Sequence, residues 1–206
     1  MKFSEEKLRL FAAPLSETED QKCKNAIRMV SDTLKTLGYS DEGKVIEKMF
    51  ADTYSYSLEM RNVSKNRKIK VFVKGSYANN TNVRTESDVD IAVVLESTFK
   101  VKYRPNISDS IYGFSNSSYT LQAFKDEVEM ALKEEFGRDV ERKNKSIKIY
   151  GNTYRVDVDA VPCMRHRDYT NDYAYDPNNY LGGIFIQSDD GQTVMLPFVK
   201  TQREKI

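Results

Sequence analysis

Near the start of the chain the apolar positions recur at helical spacing. Cys23, Ile27, Val30, Leu34 and Leu37 fall close to a 3.6-residue period. Ser16-Glu17-Thr18-Glu19 before them has the Ser-x-x-Glu form of a capping box, and Gly38 supplies a stop. A second helix is predicted from about Asp41 into the sixties, with Val45, Met49, Phe50, Tyr54 and Leu58 as one face. The polar run Arg61 to Arg67 ends it. The period then shortens to that of strands. Lys70-Val71-Phe72-Val73-Lys74 reads as a short strand stopping at Gly75-Ser76, and Val89 to Leu95 as a more apolar, buried one. A loop rich in Ser, Asn, Gly and Tyr is expected over roughly Thr98 to Ser118. Leu121, Phe124, Val128, Leu132 and Phe136 mark an amphipathic helix closed by Gly137. Val140 to Tyr150 alternates weakly, as one strand; Tyr154 to Val161 alternates cleanly until Pro162, whose missing N–H ends its ladder. Beyond Asp168 the apolar runs are Ile184-Phe185-Ile186 and Val194 to Val199. No internal repeat is present. The order of elements predicts an α+β fold with helices packed on one face of a mixed sheet.

Composition narrows the function classes. With 39% hydrophobic and 31% charged residues over 206 positions, the chain is globular and long enough for a real core. Its 32 basic residues almost cancel 31 acidic ones, leaving +1, so there is no broad field for nucleic acid or for a membrane surface. Cys23 and Cys163 lie far apart, match no metal-ligand spacing, and are expected as free thiols in a reducing compartment. No apolar stretch reaches the length of a membrane span, and Met-Lys-Phe-Ser-Glu-Glu lacks the apolar region of a signal peptide. Cytoplasm is the expected location.

The chemistry concentrates in Gly75-Ser76-Tyr77-Ala78-Asn79-Asn80-Thr81 followed by Ser87-Asp88-Val89-Asp90-Ile91. A strand that ends at Gly-Ser lets backbone N–H groups and the serine hydroxyl approach phosphate oxygens. Residues two apart in a strand share a face, so Asp88 and Asp90 project together. Adjacent carboxylates repel unless a cation lies between them, and hard oxygen donors select Mg²⁺ or Mn²⁺. A third acid on a neighbouring strand would complete a two-metal site. Asp157 and Asp159 are the candidates. Asp159, at the strand end in Asp159-Ala160-Val161-Pro162, is the choice, and Asp157 is expected to be a supporting or solvated acid.

Gly-Ser-Tyr with Thr81, then Ser-Asp-Val-Asp-Ile, then Val-Asp-Ala-Val-Pro, resembles the polymerase-β-like nucleotidyltransferases, and within them the bacterial CD-NTases, relatives of cyclic GMP-AMP synthase and oligoadenylate synthase. The likeness spans roughly Lys70 to Pro162. It implies Asp88, Asp90 and Asp159 as metal-binding acids, Gly75 and Ser76 as the phosphate-contacting turn, and Lys74 and Thr81 beside the nucleotide. It further implies NTP substrates, a cyclic or linear oligonucleotide product that acts through a downstream effector, and a role in anti-phage signalling. On this reading residues 1–69 are N-terminal helices packing on the core, 70–165 the catalytic core, and 166–206 a tail that begins a C-terminal lobe. Family members generally continue into a C-terminal helical lobe that closes the cleft. No long helical pattern follows Pro162, so self-association or a second-lobe partner is expected, together with weak binding of NTP by the chain alone. Two rival functions remain: nucleotidyl transfer to a protein or small-molecule acceptor, and a nucleotide-binding module without turnover.

The remaining candidates have plainer readings. His166, in Met164-Arg165-His166-Arg167, is expected as a surface histidine, because a metal can lower a hydroxyl pKa without a general base. Arg165 and Arg167 are expected as solvated charge. Lys74 and Arg84 flank the phosphate turn and are candidates to assist it. Tyr169, Tyr173, Tyr175 and Tyr180 are expected to pack the tail rather than stack on a base.

Overall fold

The computed structural model describes residues 4–6, 17–49, 55–78, 88–153 and 155–198. Helix α1 (Glu17–Lys35) leads into β1 (Glu47–Lys48), β2 (Tyr56–Asn62) and β3 (Arg67–Lys74). A single helical turn, α2 (Gly75–Ala78), precedes the long strand β4 (Val89–Lys102). Then come α3 (Asp109–Tyr112), α4 (Leu121–Phe136), the hairpin β5 (Val140–Arg142) and β6 (Ile147–Ile149), and finally β7 (Val158–Asp168), β8 (Leu181–Gln187) and β9 (Thr193–Pro197). The strands form one sheet in the order β1-β2-β3-β4-β7-β6-β5, with β8 also on β7 and β9 on β8. The β4–β7 pair is parallel and the other named pairs are antiparallel. The sheet is therefore mixed, as expected.

Alternation sorts each strand between two faces. Val71 and Val73, Ile91, Val93 and Leu95, Ile147 and Ile149, and Val158 and Ala160 share one core with Ile27, Val30 and Leu34 of α1 and Phe124, Val128 and Leu132 of α4. The main helices thus cover one face. The other face carries a smaller cluster of Phe72, Ala92, Val94, Val161, Cys163, Ile184 and Ile186. Helix α4 starts where Thr120 accepts the Ala123 N–H at 3.1 Å, and it ends at Gly137, φ +57°, whose N–H reaches the Lys133 carbonyl. The capping serine of α1, Ser16, lies outside the described residues, as do Phe50 and Tyr54.

The second predicted helix is absent among the described residues. Its stretch holds β1 and β2 instead, and Val45 stands out in solvent. The positions chosen at helical spacing hid a period of two: Tyr56, Leu58, Met60 and Asn62 are buried, and β2 pairs with β3 from Ser57↔Phe72 to Asn62↔Arg67. Burial against a partner strand overrode local pattern. The polar run that was to end a helix is the hairpin turn, with Asn66 at φ +49°.

Four further expectations need correction. β4 continues through Thr98 to Lys102, past a register shift between Leu95 and Phe99 that admits extra residues. Val140 to Tyr150 is a hairpin, turned where the Lys143 N–H donates to the Ser146 carbonyl. Pro162 does not end its strand. On the edge away from β4, β6 stops at Ala160 and β8 starts at Met164, so the proline stands in a gap between two partners, where an interior strand tolerates a missing N–H. The residues after Asp168 are more than a tail, because β8 and β9 extend the sheet.

One buried ammonium fastens these late elements to the helices. The Lys125 side chain, 2% exposed on α4, donates to the Lys143 and Asn144 carbonyls of the β5–β6 turn and to Asp189 after β8, at 3.4, 2.8 and 2.8 Å. Arg142 reaches the same Asp189 at 2.8 Å. A buried ammonium needs such partners to offset its lost hydration.

Phe124, fully buried between the helices and the sheet, measures the main core. Phe124→Ala is expected to lower the unfolding free energy by about 3–5 kcal/mol. Urea denaturation checks this through a lower midpoint at an unchanged slope.

Candidate active site

Three strands and one turn place the acids. Asp88 immediately precedes β4, Asp90 is its second residue, and both alternate to the sheet face opposite α1 and α4, since Val89 and Ile91 belong to the helix-side core. In the parallel β4–β7 ladder Asp90 stands directly beside Asp159. Asp159 in turn lies opposite Lys148 of β6. The structure therefore brings Asp88, Asp90 and Asp159 to one patch, and it brings a lysine with them.

Each carboxylate has a partner. Lys74, opposite Asp90 across β3 and β4, holds its ammonium 3.5 Å from Asp90 Oδ1. Ser146 donates its hydroxyl to Asp159 Oδ1 at 3.0 Å. Lys148 pairs with Asp88 and, at 2.9 Å, with Asp157. Burial pushes the Asp90 carboxyl above its ordinary value; Lys74 pulls it down, while the charges of Asp159 and Asp88 push it further up. Asp157 is held below the carboxylate range chiefly by its bond from Lys148, with the Gly151 N–H assisting. Burial draws the Lys148 ammonium down, but its pairs with Asp88 and Asp157 prevail and hold it above the usual lysine value. The register sets Asp159 beside Asp90, while Asp157 pairs with Lys148 and the Gly151 N–H.

Gly75 sits at the junction of β3 and α2 with φ +72°, a conformation that L side chains rarely adopt. A Cβ there would stand 2.1 Å from Asp90 Oδ2. The sequence pattern points to glycine as room for a phosphate; the structure shows that the same space admits the Asp90 carboxylate. Ser76 follows, half-buried, in the helical turn. Thr81, Arg84 and Ser87 lie outside the described residues.

Other candidates fall elsewhere. His166 is buried within β7, its Nδ1 3.1 Å from the Lys100 carbonyl, so it is no surface residue; strand pairing on both sides encloses it. Arg165 contacts Glu96 at 3.4 Å and lies over Phe198, while Arg167 lies over Phe99; neither is simply solvated. Tyr169 is buried among Tyr103, Tyr112 and Tyr180, whereas Tyr173 and Tyr175 remain exposed and flank Arg104. Cys23 and Cys163 are both buried.

Lys148 and Ser146 are the site residues that sequence reasoning missed. The signal was present: Ile147 and Ile149 are apolar, so the residues between and before them point to the opposite face, but reading 140–150 as one strand left that face without an address.

The donor set suits a divalent cation. Hard carboxylate oxygens share one patch of the sheet, where the half-buried Asp90 carboxyl resists ionisation beside two other acids, and a cation would relieve that repulsion. Among the described residues, however, no three acid, histidine or cysteine side chains already converge at ligating distance. The lysines and Ser146 hold the carboxylates in other contacts.

The nucleotidyltransferase domain family matches residues 57–176, more than half of the chain and every acid of the patch. This chain belongs to that family, in its CD-NTase branch. It is 54% identical over 196 residues to the cyclic GMP-AMP synthase CdnE03 of Staphylococcus schleiferi, covering 95% of this chain and 60% of that protein. It is 35% identical to a cyclic dipyrimidine nucleotide synthase, CdnE, of Legionella pneumophila, covering 92% of this chain and 56% of that one. Among solved structures, the Elizabethkingia meningoseptica CdnE cyclic dinucleotide synthase with GTP and Apcpp aligns with a TM-score of 0.58 at 29% identity, over 95% of this chain and 55% of the other. The chain spans somewhat more than half the length of the curated relatives it matches. Nucleotidyltransferases of this family generally use a divalent metal. No helix among the described residues is long and apolar enough to cross a membrane.

Two outcomes test the electrostatics and the turn. Because burial and neighbouring acids raise the Asp90 pKa, ionising it opposes folding; its unfavourable contribution is absent below the ordinary aspartate pKa and present in full once pH exceeds the raised, folded value. Asp90→Asn is therefore expected to raise the thermal midpoint at neutral pH in EDTA, by roughly 2–4 °C for each kcal/mol relieved, and to lose that advantage in acid. Gly75→Ala is expected to cost about 1–3 kcal/mol, read by urea denaturation, as the backbone strains and the Asp90 carboxylate is displaced.

Proposed function

We propose that this chain forms the catalytic part of a nucleotidyltransferase that joins NTPs into a cyclic dinucleotide second messenger in bacterial anti-phage signalling. The observation that carries the proposal is the register of β4 and β7, which sets Asp90 beside Asp159 with Asp88 two residues away on the same face. The names of the Staphylococcus schleiferi and Legionella pneumophila relatives support the product class.

Asp88, Asp90 and Asp159 would hold Mg²⁺ or Mn²⁺, which supplies charge neutralisation at the triphosphate and a more acidic attacking hydroxyl. The remaining work falls to groups of this chain. The N–H groups and hydroxyl at Gly75-Ser76 hold phosphate oxygens of the donor nucleotide, and the Lys74 ammonium adds a positive charge beside them. Thr81 stands on the segment that follows this turn. A ribose hydroxyl attacks the α-phosphorus, pyrophosphate leaves, and a second such step closes the ring. Ser146 fixes the orientation of Asp159 from the neighbouring hairpin. The product acts through an effector that binds it, and the two buried cysteines, far apart in sequence, fit a reducing cytoplasm.

Mass analysis of products from the four NTPs, without added acceptor, tests this reading with the chain in its full natural context. A cyclic dinucleotide is expected from the unmodified protein. Asp88→Asn, Asp90→Asn and Asp159→Asn should each lower its rate on the order of a hundredfold or more, and Asp157→Asn clearly less. Labelled acceptor in place of a cyclic product would identify transfer to another molecule instead, and wild-type turnover in Asp90→Asn would overturn the assignment.

A further inference from the structure

We propose that Lys148 is a positioning residue that occupies the Asp88 carboxylate until a divalent cation arrives, and that Asp157 is the fixed anchor to which its ammonium then withdraws. The inference rests on Asp88 being one of the metal-holding acids.

The geometry separates the two partners of Lys148. Asp157 is held independently of the lysine, because its Oδ1 accepts the Gly151 N–H at 2.5 Å while its Oδ2 takes the Lys148 ammonium at 2.9 Å. Gly151 permits that approach: a Cβ at residue 151 would lie 2.6 Å from Asp157 Oδ1. One oxygen is thus fastened to backbone, and the other is presented to the lysine. The Asp88 side chain takes the same Lys148 ammonium and stands close to the Asp157 carboxyl, but it lies just ahead of β4 rather than within the ladder. Lys148 itself is buried on β6, directly across from Asp159, so its ammonium cannot retreat into water without losing both partners.

Two positive charges cannot share the Asp88 carboxylate at no cost. A cation binding there displaces the ammonium, and Asp157 makes the displacement tolerable because a buried lysine keeps one ion pair throughout. Asp157 therefore favours metal binding without touching the metal. Lys148 opposes it while keeping the Asp88 and Asp157 carboxylates from repelling one another in the metal-free protein.

Mn²⁺ binding to the full-length protein without nucleotide, followed by electron paramagnetic resonance, tests this. Asp157→Asn should weaken Mn²⁺ binding by roughly tenfold, as expected for losing a partner that orients a ligand's neighbour. Lys148→Met should tighten Mn²⁺ binding and lower the thermal midpoint in EDTA, with Mn²⁺ restoring more of that midpoint than it adds to the unmodified protein. Lys148→Arg, which keeps the charge, should restore the midpoint in EDTA. Asp88→Asn serves as the control for the underlying assignment. If Asp88→Asn binds Mn²⁺ as the unmodified protein does, the acid is not a ligand and the functional reading fails. If Asp88→Asn loses binding but Asp157→Asn and Lys148→Met bind with the unmodified dissociation constant, Lys148 is merely structural and this inference is overturned. Should Lys148→Met not fold, the Asp157→Asn titration decides alone.

Discussion

Two parallel strands set side by side, each carrying an aspartate at the same level of the ladder, impose the constraint around which the rest of this molecule is arranged. The pairing of β4 with β7 puts Asp90 against Asp159 and leaves no freedom to separate them, since a one-residue slip would turn Ile91 and Ala160 out of the helix-side core. Parallel neighbours need a long crossover, and the chain between them supplies α4 and the β5–β6 hairpin. That crossover both covers one face and returns Ser146 and Lys148 to the edge of the other. The close carboxylates raise an electrostatic cost, and Lys74, Ser146, Lys148 and the open space at Gly75 are the local answers to it.

The chemistry was legible in the sequence because it depends on short-range pattern. Asp-x-Asp at the head of an apolar strand, Gly-Ser at the foot of another and Val-Asp-Ala-Val-Pro in a third each encode a face by parity alone, and parity survives errors in strand length. Helices α1 and α4 were equally plain, since their apolar stripes run for four turns or more. Over the forties and fifties the local pattern is ambiguous between helix and strand. Val45, Met49 and Leu58 fit helical spacing, but Leu58, Met60 and Asn62 fit strand spacing as well, and only the partner strand β3 decides between them.

Lys148 was invisible for a related reason. A lysine between two isoleucines reads as the exposed side of an edge strand, and nothing local states that this strand lies beside the aspartates of β7 rather than at the rim. Pro162 misled in the opposite direction: its ordinary role as a ladder breaker holds only where both edges are paired, and here one edge changes partner around it. In both cases the missing information was the identity of a neighbour distant in sequence.

The anchoring of the hairpin turn by Lys125 also bears on the order in which the molecule can be completed as it leaves the ribosome. Asp88, Asp90, Lys148 and Asp159 all emerge before Asp189, the carboxylate that, among the described residues, meets the Lys125 ammonium. Until β8 and its following turn have been made, that ammonium has only the two carbonyls of the β5–β6 turn to answer its charge, and the hairpin that presents Ser146 and Lys148 lacks its clamp. A nascent chain therefore contains every acid of the patch some thirty residues before it contains the carboxylate that clamps the β5–β6 turn. Synthesis of the late strands, remote from the carboxylates in sequence, completes the clamp on the hairpin that carries Ser146 and Lys148.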